Sequence, residues 1–276
     1  MEKITATVSN FRPHSRNVMP SVLEKNVSSF IYFDHLGPFD FPAGQKVHIP
    51  YHPHSGIATI SYMFEGEGYH KDSLGNDQIL DKGRLNYMIS GNGIFHSEGL
   101  SDEFSEKGGR LCGFQIWHLL SSNERNGRPS FQTIPDHNLE KMNLLGGIII
   151  TALLGKYEQI SSPIQTERDI ILYTIRSNKE AFSLLKLNKK WEYLISVCDG
   201  VCKVNDIDLS LGKGFKISYE EEIYLYINNN CKAVLMGGPP INEIPIFNGS
   251  LVSVGEEQMK DYYRRLANSE FRKNKI

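Results

Sequence analysis

Hydrophobic residues recur along this chain in short runs that end at Gly, Asp and Asn, and this pattern predicts many short β-strands. The strands predicted in the first half are 56–64, 69–72, 79–80, 85–89 and 111–120. Those predicted in the second half are 148–154, 170–175, 181–187, 191–198, 201–204, 214–217, 223–227 and 233–236. Strands of this length and spacing are typical of an antiparallel barrel or sandwich, so we interpret the chain as two β units in tandem.

A single segment near the end of the sequence has helical periodicity. Its apolar positions at intervals of three and four residues are Met259, Tyr262, Tyr263 and Leu266. They predict a helix over 255–268 that packs on the body of the protein. Ser253 and Glu256 have the spacing of a capping box at its start. The polar stretch 121–138 predicts a linker or a long crossing loop, and the basic tail 271–276 is expected to fray.

Length and charge narrow the class of protein. A chain of 276 residues fits two domains of ordinary size. The formal net charge of −2 argues against a nucleic-acid footprint over the whole surface. The sequence has neither a run of about 20 apolar residues that would span a membrane nor an apolar signal core at its N-terminus. We therefore expect a cytoplasmic protein, and two barrels that cover each other's faces favour a monomer.

Cysteine spacing points away from metal or redox chemistry. None of the four cysteines forms a C-x-x-C pair. Cys198 and Cys202 flank the predicted turn 199–200, and a two-residue hairpin there would place their sulfur atoms on opposite faces. We expect reduced, buried thiols.

Histidine placement is the strongest chemical signal. All nine histidines precede residue 138, so we predict a metal-binding domain over 1–133 and a domain without metal ligands over 134–276. Since side chains two residues apart on a strand share one face, His52 with His54, and His96 with Glu98, each form a converging pair. Three imidazoles and one carboxylate would suit Fe(II), Mn, Ni, Cu or Zn, with positions left open for substrate.

Simpler interpretations of these histidines stay open. A lone H-x-H can be accidental, and Pro53 between the two histidines predicts a strand start or a sheet edge. His70, near Asp72, could act as an acid or base in a pocket. We favour an exposed strand histidine at this position.

Three longer segments resemble one known family. The runs FDHLGPFDFPAG (33–44), HPHSGIATISYMFEGEGYHKDSLGN (52–76) and SGNGIFHSE (90–98) are similar to the pirin family of the cupin superfamily. The segments 113–120 and 238–252 resemble later motifs of that family, whereas the region between 138 and 236 matches loosely. The resemblance implies an all-β protein of two tandem cupin barrels, the first of which holds a metal on His52, His54, His96 and Glu98.

The resemblance also implies a function. The leading hypothesis is an Fe(II)-dependent dioxygenase for flavonols or aromatic enols such as quercetin, with Glu98 as both ligand and catalytic base. Its substrates would be a small aromatic molecule and dioxygen. The alternative is a non-catalytic iron-dependent module for redox sensing or protein interaction. A sugar-phosphate isomerase ranks last, because Lys46, Lys71 and Arg110 do not form a convincing phosphate pocket.

Two departures from the family pattern affect these expectations. Ala58 stands where pirins often have Glu, and this change could alter ligand orientation or substrate preference. The segment NGSLVSV over 248–254 departs from the usual C-terminal motif of the family, so the C-terminal part of the fold is less well predicted.

Overall fold

The computed structural model describes the backbone of residues 2–5, 7–8, 15–17 and 26–272, and side chains from residue 26 to 272. Most of its elements are strands. In chain order they are β1 Glu2–Thr5, β2 Thr7–Val8, β3 Ser15–Asn17, β4 Phe30–Phe41, β5 His48–His54, β6 Ile57–Glu65, β7 Gly68–Asp72, β8 Asp77–Leu80, β9 Leu85–Ile89, β10 Ile94–Leu100, β11 Gly109–Leu119, β12 Ser130–Ile134 and β13 Lys141–Asn143. They continue with β14 Ile149–Leu154, β15 Lys156–Tyr157, β16 Ile160–Ser161, β17 Ile171–Arg176, β18 Ala181–Lys186, β19 Glu192–Asp199, β20 Val201–Val204, β21 Ile207–Ser210, β22 Lys213–Ser218, β23 Glu222–Ile227, β24 Lys232–Gly238, β25 Ile246–Asn248 and β26 Leu251–Ser253.

Helices are short in the described part of the chain. They are α1 Asp102–Lys107, α2 Ser122–Asn126 and α3 Glu256–Ala267, with 3-10 turns at Asp136–Asn138 and Glu270–Arg272. The predicted all-β character with a C-terminal helix is confirmed, and α1 and α2 are additions that the sequence pattern did not indicate. No described helix is long and apolar enough to cross a membrane.

The chain divides into two compact units. Unit 1 contains residues 1–38 and 137–241, and unit 2 contains residues 39–136 and 242–276. The predicted boundary after residue 133 lies close to position 136, where the chain passes from unit 2 to unit 1. The N-terminal segment 1–38, however, belongs to the same unit as residues 137–241, and the C-terminal segment 242–276 belongs to the same unit as residues 39–136. Strand pairing explains this exchange. Backbone pairs join Glu2 to Lys216 in unit 1 and Ser55 to Leu251 in unit 2.

Unit 1 contains two large antiparallel sheets in addition to the two-stranded sheet β15-β16. Their strand orders are β1-β22-β19-β24-β17-β14-β13 and β18-β23-β20-β21. The alternating residues of these strands form one buried core. The predicted hairpin around residues 199–200 is wrong, because β19 and β20 join different sheets. All four cysteines are free and buried, as expected.

Unit 2 carries the histidine-rich strands. Strands β12, β9, β6 and β11 lie side by side in one sheet, and β5, β10, β7 and β8 form another. Five of the eight residues 57–64 are β-branched or aromatic, and the segment forms a mostly buried strand of the first sheet. Gly66, at φ +87°, supplies the left-handed residue between β6 and β7.

The prediction of a linker over 121–138 is wrong. Ser121 and Glu124 form a capping box that starts α2. The segment after Pro129 forms β12, which pairs with β9 over five residues. Polarity misled the prediction, because β12 is an edge strand with half-buried side chains.

The C-terminal helix begins and ends close to its predicted bounds, but its cap differs. Gly255 is the N-cap residue, and the Ser253 hydroxyl donates to the carbonyl of Gly255 instead of accepting from the helix. Met259 and Tyr262 are buried as predicted, whereas Tyr263 is 41% exposed.

The expectation of a frayed tail is wrong at Phe271, which is completely buried. Residues 273–276 lie outside the described part of the chain.

Candidate metal centre

Strands β5 and β10 bring together three of the four predicted ligand residues, His52, His54 and His96. The strands are antiparallel neighbours, and His96 lies directly opposite His52. Strand β5 is at the edge of its sheet, where Pro53 costs no ladder hydrogen bond on the free side. Because residues opposite each other in a ladder share a face, the register places the imidazoles of His52, His54 and His96 on one side of the sheet.

The three imidazole rings form a compact cluster. Ring centroids are separated by 4.4 Å for His52–His96, 4.7 Å for His54–His96 and 4.9 Å for His52–His54. One nitrogen from each ring lies within 4.8 Å of the others. His54 and His96 are buried, and His52 is partly exposed. The cluster is therefore built on a strand edge with one ring reaching toward solvent.

The donor set of the cluster fits a borderline transition metal. Metal–imidazole bonds of about 2.0–2.1 Å separate the nitrogens on one ion by up to about 4.2 Å, and this cluster is close to that range. His52 Nδ1 lies 2.9 Å from the carbonyl oxygen of Pro50, which can only accept a hydrogen bond. The proton is therefore on Nδ1, and Nε2 keeps the lone pair that a metal needs.

Glu98 follows His96 on β10 but is not part of the three-histidine group. A β-bulge lies between His96 and Glu98 and shifts the register against β5. Gln115 Nε2 donates to Glu98 Oε2 at 2.6 Å, and Trp117 Nε1 donates to Gln115 Oε1 at 3.2 Å. These bonds hold the Glu98 carboxylate, and its role as a ligand and base stays a prediction.

Trp117 also packs against the cluster. Its ring meets the His54 ring edge-on at 5.2 Å and 89°. The side chain is only 8% exposed. Trp117 therefore contacts the site in two ways. Its ring packs against His54, and its N–H holds Gln115, which in turn donates to the Glu98 carboxylate.

His70 is a functional candidate that sequence reasoning placed wrongly. The residue is not exposed, since only 6% of it is accessible. Its ring stacks on Phe131 at 4.3 Å with the planes 7° apart. Its two nitrogens lie 3.1 Å from Asp72 Oδ2 and 3.4 Å from His96 Nδ1. The signal was present in the sequence, because His70 and Asp72 repeat the H-x-acid spacing of residues 96 and 98.

Asp72 is a buried carboxylate with many donors. Its Oδ1 accepts from the backbone N–H groups of Leu74 and Asn76 at 2.9 and 3.1 Å. The Asn76 side-chain amide donates to both of its oxygens. Burial raises the pKa of Asp72, but the hydrogen bonds from His70 and Asn76 outweigh it and leave the pKa below its usual value. Asp72 is therefore a fixed negative acceptor for His70.

The cations near the motifs do not form an anion pocket. Lys46 pairs with Asp102, Lys71 with Asp77, and Arg110 with Asp40 and Glu65. Each of these basic side chains lies within 4.0 Å of an acid, and the low rank of the sugar-phosphate hypothesis stays a prediction. Ala58 is completely buried in β6, opposite His118 in the register. Its effect on ligand orientation stays a prediction.

Comparisons with known proteins find similar sequences and similar folds. Residues 11–118 match the family model described as Pirin. A curated protein of Pseudomonas aeruginosa, named as a proposed quercetin 2,3-dioxygenase, is 26% identical over 91% of this chain and 89% of its own length. The crystal structure of quercetin 2,3-dioxygenase from Acinetobacter baumannii has a TM-score of 0.89 at 25% identity and covers 98% of this chain and 89% of its own.

A further solved structure shares the fold. It is a bacterial pirin of Escherichia coli in complex with nickel(II), with a TM-score of 0.64, 21% identity and coverage of 86% of this chain and 96% of its own. The family match over residues 11–118 and the curated relative support a pirin-family protein, and the solved structures show that the chain has the cupin fold.

Proposed function

We propose that this protein is a metal-dependent dioxygenase, with Fe(II) as its metal, that acts on flavonols or related aromatic enols such as quercetin. The convergence of His52, His54 and His96 on one face of a strand edge carries the proposal. The similar Acinetobacter protein, which is named quercetin 2,3-dioxygenase, supports the substrate class. Mn, Ni, Cu and Zn suit the same donors, and the nickel complex of the Escherichia coli pirin supports keeping them as alternatives.

His52, His54, His96 and Glu98 would hold the metal. A bound divalent ion would supply a Lewis acid for the enol oxygen of the substrate and a redox partner for dioxygen. With three neutral imidazoles, the single carboxylate of Glu98 leaves an Fe(II) site with a charge of +1. That charge favours an anionic substrate oxygen.

Glu98 is the residue that would move the proton. As the base, it takes the hydroxyl proton of the flavonol, and the substrate binds as an anion. Gln115 holds one carboxylate oxygen through a charge-assisted bond of 2.6 Å, and Trp117 fixes the amide orientation of Gln115. The carboxylate is therefore aimed before substrate arrives, which is the form of preorganisation that a proton transfer needs. Ring opening would incorporate both atoms of dioxygen and release carbon monoxide.

Oxygen consumption tests the proposal directly. Anaerobically Fe(II)-reconstituted protein is mixed with quercetin and dioxygen, and oxygen uptake and carbon monoxide are both measured. His137→Ala is the matched control for His96→Ala, because His137 is an exposed histidine outside the cluster. We expect equal oxygen uptake and carbon monoxide release in wild type and His137→Ala, and loss of both in His96→Ala.

Glu98→Gln separates the role of ligand from that of base. The variant is expected to keep part of its iron and to lose turnover by about 10²–10⁴-fold, the usual contribution of a general base. Equal turnover per bound iron would refute the base role. No uptake by wild-type protein with stoichiometric iron would reject the dioxygenase and favour the redox-sensing or partner-binding alternative. A cytoplasmic location and a monomeric state stay predictions.

A further inference from the structure

We propose that His70 and Asp72 are positioning residues for the metal centre: through a two-bond relay they set the tautomer of His96, so that its Nε2 is the metal-binding nitrogen. The inference rests on the proposed role of His96 as a ligand. It goes beyond the proposed function because neither residue belongs to the predicted ligand set.

The relay starts at a carboxylate that can only accept. Asp72 Oδ1 is held by two backbone N–H groups and the Asn76 amide, so the orientation of the carboxylate is fixed. His70 Nε2 lies 3.1 Å from Asp72 Oδ2. Because an ionised carboxylate has no proton to donate, His70 Nε2 carries the hydrogen.

The proton position on His70 decides the next bond. A neutral imidazole with a proton on Nε2 has its lone pair on Nδ1, so Nδ1 must accept. The group facing it is His96 Nδ1, at 3.4 Å. His96 therefore donates from Nδ1, and its lone pair is on Nε2. The His96 ring centroid lies 4.4 Å from that of His52 and 4.7 Å from that of His54.

Packing keeps the relay in place. His70 is stacked on Phe131 with nearly parallel planes, which limits rotation of the imidazole about its last bond. His70 and Asp72 are both nearly buried, so water does not compete strongly for their hydrogen bonds. The backbone register places Asp72 opposite His96 and His70 opposite Glu98 on the neighbouring strand. The relay is thus built into the pairing of β7 with β10.

The relay gives His96 the arrangement that His52 obtains from the Pro50 carbonyl. In both rings a hydrogen bond at Nδ1 leaves Nε2 as the ligand atom. Outer hydrogen bonds of this type change metal affinity by about 10–100-fold when they are removed. On two neighbouring strands, a backbone carbonyl and a histidine ring therefore each accept a hydrogen bond from Nδ1 of one ligand histidine, which leaves Nε2 free to bind the metal.

Asp72→Asn is the variant that reverses the relay. Its amide can keep Oδ1 on the backbone of Leu74 and Asn76 while presenting N–H to His70 Nε2, once the Asn76 side-chain amide has turned so that its oxygen accepts the second N–H of the new amide. His70 would then carry its proton on Nδ1 and donate to His96 Nδ1, which forces the proton of His96 onto Nε2. Asp77→Asn is the matched control, because it makes the same chemical change at an exposed acid that pairs with Lys71.

Two readouts test the relay without measuring turnover. Nitrogen-15 NMR of histidines in metal-free protein reports each tautomer, at a pH well above the ordinary histidine pKa so that the rings are neutral. Competition titration with Co(II) or Zn(II) reports affinity. We expect Nδ1–H on His96 in wild type and Asp77→Asn. In Asp72→Asn we expect Nε2–H and about 10–100-fold weaker metal binding.

If Asp72→Asn does not fold, the variants His70→Asn and His70→Phe test the same relay. The carbonyl of His70→Asn can still accept from His96 Nδ1, whereas His70→Phe keeps a ring on Phe131 and has no acceptor. We expect the His96 tautomer to be retained in the first and lost in the second. Nε2–H on His96 in wild type, or an unchanged tautomer and affinity in both Asp72→Asn and His70→Phe, would overturn the relay.

The outcomes also separate this inference from the proposed function. A protein that shows the tautomer shift but no oxygen uptake would keep the relay and lose the dioxygenase. One that turns over quercetin with unchanged tautomer and affinity in the variants would keep the dioxygenase and lose the relay.

Discussion

Gly93 offers the sharpest test of how the C-terminal segment is held in unit 2. The residue directly precedes β10 and has φ +137°, a conformation that side chains with a Cβ rarely adopt. A Cβ built on it would lie 2.0, 2.1 and 2.4 Å from three ring carbons of Phe271. The Phe271 ring is completely buried, and its carbonyl oxygen accepts from the Ser73 hydroxyl at 2.9 Å. Gly93→Ala should therefore expel this ring.

The magnitude follows from two separable costs. The backbone conformation costs an alanine about 1–3 kcal/mol. The clash cannot cost more than the burial of the phenylalanine that gives way, which is about 3–5 kcal/mol for a Phe→Ala substitution. Gly93→Ala should thus lower the free energy of unfolding by about 4–8 kcal/mol. In a Phe271→Ala background the clash is absent, so Gly93→Ala should lower the free energy of unfolding only by the cost of the backbone conformation, about 1–3 kcal/mol.

Urea unfolding followed by tryptophan fluorescence measures the cycle. The chain has two tryptophans, and Trp191→Phe leaves Trp117 as the single reporter of unit 2. The four proteins of the double-mutant cycle are compared in this background. We expect a coupling energy of about 3–5 kcal/mol between the two sites.

Gly75→Ala is the matched control. Gly75 has φ +97°, but a Cβ added to it would meet no atom within 4 Å beyond its own chain neighbours, so only backbone strain is expected. Additive effects of Gly93→Ala and Phe271→Ala would refute the steric reasoning, as would equal losses for Gly93→Ala and Gly75→Ala.

Two further predictions concern buried hydrogen bonds of unit 2. Arg125 is nearly buried and its guanidinium contacts Glu243 at 2.8 Å, so Glu243→Gln should lower the free energy of unfolding by about 1–3 kcal/mol. Glu103→Gln, at the exposed pair with Lys107, should leave the urea midpoint unchanged, and equal shifts would contradict this assignment. Trp117→Phe keeps a ring against His54 but removes the donor to Gln115, so turnover per bound iron should fall while iron content is retained. Loss of iron in parallel with activity would show instead that Trp117 acts through His54.

The strand pattern and the grouping of three histidines could be predicted because both depend on local alternation. Strands β9 and β20 have their predicted bounds, and the three histidines of β5 and β10 converge as period-two reasoning predicted. Pairing partners could not be predicted in the same way. Residues 198 and 201 looked like a hairpin because nothing in the local sequence records that their strands join different sheets.

His70 shows the same limit at the site. The exposure of His70 depends on the register of β7 with β10 and on its stacking with Phe131. Phe131 lies on β12, in the polar segment that was predicted to be a linker. The cap of α3 was missed for a different reason. Ser253 has the correct spacing, but its hydroxyl donates to the carbonyl of Gly255, so a matching motif did not give the matching bond.

The composition of unit 2 has a consequence for how the protein is made. A cluster of its buried residues comes from the end of the described chain, namely Leu251, Met259, Tyr262 and Phe271. Phe271 emerges from the ribosome about 175 residues after His96, which at roughly 5–20 residues per second is a delay of about 9–35 s. During that interval the histidine strands exist without the last part of their core. The strand that carries His96 should therefore complete its packing only after the C-terminal segment has been made, because the Phe271 ring packs on the neighbouring Phe95.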